Sequence, residues 1–315
     1  MDRRTFGLSL AALGVAATAT ACGQPTNPME GGGSPGTGTE SGSGSGGAVE
    51  EIVVGSAGFT ESVVLAELYA QSLQAAGLTV STKHRIGSRE VYLTALRDGS
   101  IHAVPEYTGN LLQFLDEGNP AQTAEDIEAA LQEAVGDEIA VLSPSEATDQ
   151  DVYVVTQMTA ETQGIASLAD LKKIAADSIL GGPAELQERP YGPPGLEAIY
   201  GAVFKEFRTY DTPAIKVKDL NDGKIQVATF FTTEAAIIDN DYVMLEDPQL
   251  MILPQNVIPL VATAVADNTE AVAAFDAVQQ VLTTADLTAL NKSVDVDHKS
   301  PEDVAKEYLT SKGLV

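Results

Sequence analysis

Ile52-Val53-Val54-Gly55-Ser56-Ala57-Gly58-Phe59-Thr60-Glu61 is the stretch from which the fold is read. Three β-branched apolar residues in a row make a short buried strand, and the glycine- and serine-containing run that follows ends it. Beyond it Leu65, Leu68, Tyr69, Ser72, Leu73 and Ala76 recur at helical spacing up to Gly77. A strand, a tight loop and an amphipathic helix are the first unit of an α/β layered protein.

The same alternation continues down the chain. Thr79–His84 reads as a strand, Val91, Tyr92, Ala95 and Leu96 as a helix, Ile101–Val104 as a strand and Gly109–Leu115 as a helix. Thr123-Ala124-Glu125-Asp126 carries a hydroxyl cap followed by acids, a helix start. Asp151–Thr156 alternates like a strand, and a second α/β set begins after it. Ser167-Leu168-Ala169-Asp170 starts a helix, Ser178–Leu180 is strand-like and Gly195–Phe207 helical. Ala214–Val217, Ile225–Phe231, Tyr242–Leu245 and Val257–Val265 read as strands. The C-terminal part is helical over 269–282, 286–293 and 301–312, the last opened by Ser300 as cap and Pro301 at the first position. The expected class is therefore α/β, with helices on mostly parallel sheet.

The first fifty residues read differently. Arg3-Arg4-Thr5-Phe6 and the apolar stretch Leu8–Ala21 have the layout of a signal peptide, too short to span a bilayer comfortably. The arginine pair also resembles a twin-arginine export signal. Ala19-Thr20-Ala21-Cys22-Gly23 resembles a bacterial lipoprotein box, which implies cleavage before Cys22 and lipid on its sulfur. The alternative is a secreted protein with an incidental cysteine. Residues 23–49 are rich in Gly, Ser and Thr and read as a flexible tether. Cys22 is the single cysteine of the 315 residues, so the fold rests on its core rather than on disulfides.

Composition narrows the function. Lys and Arg number 18 against 45 Asp and Glu, a net charge of −27 that repels phosphate backbones and speaks against nucleic acid as partner. Three histidines, with no Gly-x-Ser-x-Gly elbow, His-Glu-x-x-His helix or phosphate loop, leave little for an enzyme; His102 near Glu106 is too few ligands for a metal. A regulator's sensing domain is disfavoured by the export segment. No cofactor is expected.

The segment 53–61, its continuation Leu65-Ala66-Glu67-Leu68-Tyr69-Ala70-Gln71, and Pro105-Glu106-Tyr107-Thr108-Gly109-Asn110, Glu188-Arg189-Pro190, Pro194-Gly195-Leu196 and Leu245-Glu246-Asp247 together resemble the substrate-binding proteins of quaternary-amine (glycine betaine/choline) ABC uptake systems. Ile86-Gly87-Ser88-Arg89-Glu90 looks like the actinobacterial members. The resemblance implies a two-lobed clamp of the type II periplasmic-binding-protein kind. One lobe would comprise 50–153 and 258–315 and the other 154–257, with chain crossings near Tyr153 and Asn256. It implies a monomer outside the cell, held to the outer face of the cytoplasmic membrane by its lipid, delivering an osmoprotectant to a membrane permease.

A trimethylammonium group has no N–H to donate, so aromatic faces must hold it, and with no Trp in the chain these are Tyr and Phe. By resemblance Tyr107, Tyr153 and Phe231 match cage positions, and Arg189 an arginine that grips a betaine carboxylate, with an ion pair to Glu185 or Glu188 as the alternative. Thr108 and Asn110 would add donors, and the loop Ser56, Ala57, Phe59 and Thr60 would line the site from a helix N-terminus. Ala57 stands where many relatives have Lys, Asn110 where they have a hydroxyl residue, and Pro193 and Gln255 where an aromatic is common. These departures leave the ligand open among choline, a betaine, and another polar solute such as an amino acid or ectoine-like compound.

Overall fold

The computed structural model describes residues 49–315. The export segment, Cys22 and nearly all of the tether lie outside the described residues. Ten strands form two five-stranded sheets. The first holds β1 (Ile52–Gly55), β2 (Val80–Lys83), β3 (Ala103–Tyr107), β4 (Ile139–Val141) and β10 (Val257–Ala262) in the order β2-β1-β3-β10-β4. The second holds β5 (Asp151–Val155), β6 (Ile179–Gly182), β7 (Glu206–Thr209), β8 (Val227–Phe231) and β9 (Val243–Met244) in the order β7-β6-β8-β5-β9.

Each sheet has the same logic. β1 pairs in parallel with β2 and β3, and β6 with β7 and β8. The strand that arrives last or first from the other sheet, β10 or β5, pairs antiparallel on both its sides. The sheets are thus mixed, where the sequence suggested mostly parallel. A strand entering from a neighbouring sheet has no βαβ crossover to set its direction, and antiparallel insertion suits a direct connection.

The expected elements around the site are present: α1 (Thr60–Ala75), α2 (Arg89–Arg97) and α3 (Thr108–Leu115) follow β1, β2 and β3. The predicted cap at Thr123 accepts from Asp126 N–H, and that at Ser300 from Asp303 N–H. Three readings change. Residues 195–207 are not one helix: it ends at Tyr200, where Gly201 takes φ +65° as left-handed cap, and 206–209 is β7. Ala214–Val217 is not a strand but part of the helix Pro213–Asn221. There Pro213 opens the helix, Lys216 and Leu220 face inward four residues apart, and Ile215 is left 55% exposed. Strand β10 stops at Ala262, short of Val265.

The chain runs from the first sheet to the second before Asp151, which opens β5. β5 is bonded along its length, Asp151 opposite Phe231 and Val155 opposite Val243, so Tyr153 is mid-strand in the second sheet. The return passes through 245–256, and the bridge Thr148–Asn256 ties the two connecting segments together. Apolar side chains pack on both faces of each sheet, Tyr69 and Phe275 among them on the first and Leu171, Leu186 and Leu196 on the second. No helix among the described residues is long and apolar enough to cross a membrane.

Candidate functional site

Strand β3 is buried at every position and carries Glu106 into the interior. A buried carboxylate needs full compensation, and this one has it. Arg89, from the first turn of α2, donates from Nε to Oε1 at 2.7 Å and from Nη2 to Oε2 at 2.9 Å. Tyr92 hydroxyl donates to Oε1 at 2.5 Å, and the backbone N–H of Tyr107 to Oε2 at 2.9 Å. The strand runs through Tyr107, and Thr108 begins α3 at once, so Tyr107 is a strand residue rather than part of a loop.

From the end of β3 the Tyr107 ring points at Phe59, the residue capping α1, with centroids 6.2 Å apart. Phe59 also packs against Phe231, the last residue of β8, at 5.2 Å. Both distances are those of favourable aromatic pairs. The cluster therefore draws two rings from the first sheet's side and one from the second. Asp151 lies directly opposite Phe231 in the antiparallel ladder, on the same face of the sheet, and Tyr153 shares that face two residues on. Tyr153 is fully buried and donates its hydroxyl to the carbonyl of Tyr191 at 2.7 Å.

Asn110 and Gln255 form a reciprocal pair. Gln255 Nε2 donates to Asn110 Oδ1 at 2.8 Å, and Asn110 N–H to Gln255 Oε1 at 3.0 Å. Two departures from the family pattern that read as unrelated in sequence thus complete each other, and they pin α3 to the returning segment. Asn110 Nδ2 remains to donate to Asp151 at 2.6 Å. Gly109 allows this approach, since a Cβ there would sit 2.6 Å from the Pro254 carbonyl oxygen.

A cavity of about 130 Å³ lies between Asn110, Gln113 and Phe114 of α3 and the segment Arg189–Tyr191 across from them. Arg189 is buried with its guanidinium 5.3 Å from the Phe114 ring centre. It pairs with neither Glu185 nor Glu188 but with Glu90 of α2, at 2.8 Å, an ion pair linking the first sheet's side to the second's. Burial alone would raise Glu90, but the hydrogen bonds from Arg189 and Ser88 hold it down at about 2.

Other expected residues make hydrogen bonds within the protein. Thr108 hydroxyl donates to Pro254 carbonyl and accepts from Asn256 N–H. Ser56 hydroxyl accepts from Arg85 N–H and Ala57 N–H donates to Ser62 Oγ, so the loop before α1 is closed on itself. Thr60 donates to Asp295 at 2.8 Å. Pro193 opens the helix Pro193–Tyr200. His102 accepts from Val53 N–H and does not meet Glu106, and among the described residues no group of three or more His, Cys, Asp or Glu could hold a metal ion.

Three acids at the site have no sequence signal in so acidic a chain. Glu61 accepts from Tyr107 hydroxyl, Thr233 hydroxyl and Asn291 Nδ2, each at 2.6 Å. Asp149, in the segment crossing to β5, accepts from Thr232 hydroxyl and Thr233 N–H at Oδ1, while its buried Oδ2 has no donor. Burial, then the charge of Glu61, pushes the Asp149 carboxyl well above the usual range. Burial raises Asp151 to about 6, with the Asn110 hydrogen bond and the charges of Arg89 and Lys216 opposing.

Aromatic rings and carboxylates drawn to one place between two mixed sheets agree with the wider comparisons. Residues 50–311 match the family described as the substrate binding domain of ABC-type glycine betaine transport systems. The chain belongs to this family. It is 26% identical over 281 residues to a glycine-betaine-binding protein of Pseudomonas aeruginosa, covering 84% of this chain and 89% of that one. It is 27% identical over 272 residues to the glycine betaine-binding protein YehZ of Escherichia coli, covering 81% and 88%. A crystal structure of a glycine betaine/carnitine/choline ABC transporter protein superposes with TM-score 0.67 at 19% identity, covering 84% of this chain and 99% of that one. The fold is thus the two-lobed type II periplasmic-binding-protein arrangement, and the family is one of transport receptors, not of enzymes.

Proposed function

We propose that this protein captures a quaternary ammonium osmoprotectant outside the cell and hands it to its membrane permease. The observation that carries the reading is the Phe59–Tyr107–Phe231 cluster, whose rings come from both sheets. A trimethylammonium is attracted to ring faces by roughly 2 kcal/mol or more where water is excluded, and rings divided between two bodies part and close with those bodies. We assign one lobe to each sheet, hinged in the tied segments before β5 and after β9. Tyr191, whose carbonyl receives the Tyr153 hydroxyl, and Asn110, which donates to Asp151, line the cavity beside α3. Arg189 and Glu90 join the lobes at its mouth, so a ligand that favours the closed form shifts the population the permease reads.

Calorimetric titration of residues 48–315 with glycine betaine, choline, carnitine, proline betaine, ectoine and amino acids tests this. Micromolar binding, about −8 kcal/mol, is expected for at least one quaternary amine and for no amino acid. Tyr107→Ala should weaken that ligand by more than tenfold; unchanged affinity removes the cluster from the site. Silence from every quaternary amine overturns the function.

The protein works in our reading as a monomer tethered by lipid on Cys22 after signal-peptide removal. The supporting features are the signal layout and the small residues before Cys22. Cys22→Ala should remove the diacylglyceryl mass increment from the membrane-fraction protein, and an unchanged mass would refute the anchor.

A further inference from the structure

We propose that the cleft favours a quaternary ammonium that is a net cation, an amino-alcohol of the choline type, over zwitterionic betaines, and that the Asp151 carboxylate sets this preference. The inference rests on the proposed function and deepens it.

The charges of the site are unevenly committed. Arg89 is held by both oxygens of Glu106, and Arg189 by Glu90. Lys216 is buried, donates to the Thr229 carbonyl at 2.6 Å, lies 3.9 Å above the Phe230 ring and has Glu234 at 3.9 Å. Each of these three cations thus already has an acidic partner. Asp151 has no ion-pair partner among the described residues, and its one hydrogen bond comes from the neutral Asn110 amide. Glu61 is likewise met only by hydroxyls and an amide.

Asp151 is also placed to use its charge. It is the cross-strand neighbour of Phe231 and shares a face with Tyr153, so the carboxylate stands beside the rings proposed to hold the ammonium. An ammonium there gains a counter-charge in addition to the aromatic faces, and an alcohol on the same ligand has an acceptor for its O–H. A betaine carboxylate is bonded within a few ångströms of its ammonium. It would meet Asp151 with like charge, and Arg89, Arg189 and Lys216 are each taken by an acid, so that Arg189 could receive it only by leaving Glu90. Like charges brought together with little water discriminate strongly between ligands.

The test is titration of the protein with choline, tetramethylammonium and glycine betaine. Tetramethylammonium carries the charge with neither hydroxyl nor carboxylate. Choline and tetramethylammonium are expected to bind at least tenfold more tightly than glycine betaine. Asp151→Asn should weaken both cations by tenfold or more and leave glycine betaine unchanged or tighter. Glu90→Gln, at a half-exposed position that tolerates change, should free Arg189 and improve glycine betaine relative to choline by threefold or more. Glycine betaine equal to or tighter than choline in the parent protein would overturn the preference. Equal losses for all three ligands in Asp151→Asn, or an unmoved ratio in Glu90→Gln, would overturn the assigned cause. Each of these results leaves a quaternary-amine receptor standing, whereas no binding by any of the three would overturn that function as well.

Discussion

Replacing Glu106 by alanine is expected to cost about 3–5 kcal/mol of stability, because it strands a buried cation. Glu106 is fully buried and its two oxygens meet four donors: two nitrogens of Arg89, the Tyr92 hydroxyl and the Tyr107 N–H. Removal leaves the Arg89 guanidinium, only 9% exposed, without its counter-charge, and leaves the Tyr107 N–H and Tyr92 hydroxyl unpaired in the core. For a body of this size the melting temperature should fall by roughly 6–20 °C. Thermal unfolding followed by circular dichroism reads it directly, and a fall below 2 °C would refute the account. The double variant Glu106→Gln with Arg89→Met should recover much of the loss, since a neutral pair removes the stranded charge. Ligand affinity should fall in Glu106→Ala even at temperatures where the protein is folded, because Tyr107 hangs from the same strand end.

Asp149→Asn is expected to stabilise the protein near neutral pH. In the native state burial and the Glu61 charge keep the Asp149 proton on, whereas the unfolded chain releases it at the ordinary carboxylate value of about 3.9. Below that value both states bind the proton and nothing is lost. As pH rises the unfolded state is favoured progressively, until the raised native value is passed. The amide in the Asp149→Asn variant keeps an oxygen for Thr232 hydroxyl and Thr233 N–H and has no proton to lose. The gain should be close to zero at pH 4 and grow to about 2 kcal/mol by pH 7, in the range of relieving one buried, imperfectly compensated polar group. Parallel denaturant titrations from pH 4 to pH 8 measure it; a gain that does not change with pH would refute the raised Asp149 carboxyl. Glu61 and Thr233 come from opposite sides of the cleft, so the same variant should shift the balance between open and closed forms toward closure as pH rises.

The layered class, the order of elements from β1 to α3, and the caps at Thr123 and Ser300 were legible in the residues, because strand and helix periods and hydroxyl caps are local properties. Around 214–217 the short alternation Ile215-Lys216-Val217-Lys218 fits either period, and only Pro213 and the inward pair Lys216 and Leu220 mark the helix. The resemblance also pointed to Tyr107, Phe231 and Phe59, which the fold does bring together. Thr108, Ser56 and Thr60 have hydroxyls turned to the scaffold, a choice set by which backbone groups need partners once the segments cross.

Acidic composition told that charge was abundant and masked where it mattered. Glu61, Asp149 and Asp151 look like any other acids along the chain, and only the meeting of α1, the crossing segment and β5 brings them to the cleft and raises the Asp149 and Asp151 carboxyls. Asn110 and Gln255 are 145 positions apart and need the return strand beside α3 to become a pair. Local periodicity and capping chemistry therefore specify the α/β units from the sequence alone. The charge balance of the cleft belongs to the tertiary structure, because it depends on which of many acids and few cations burial forces into contact.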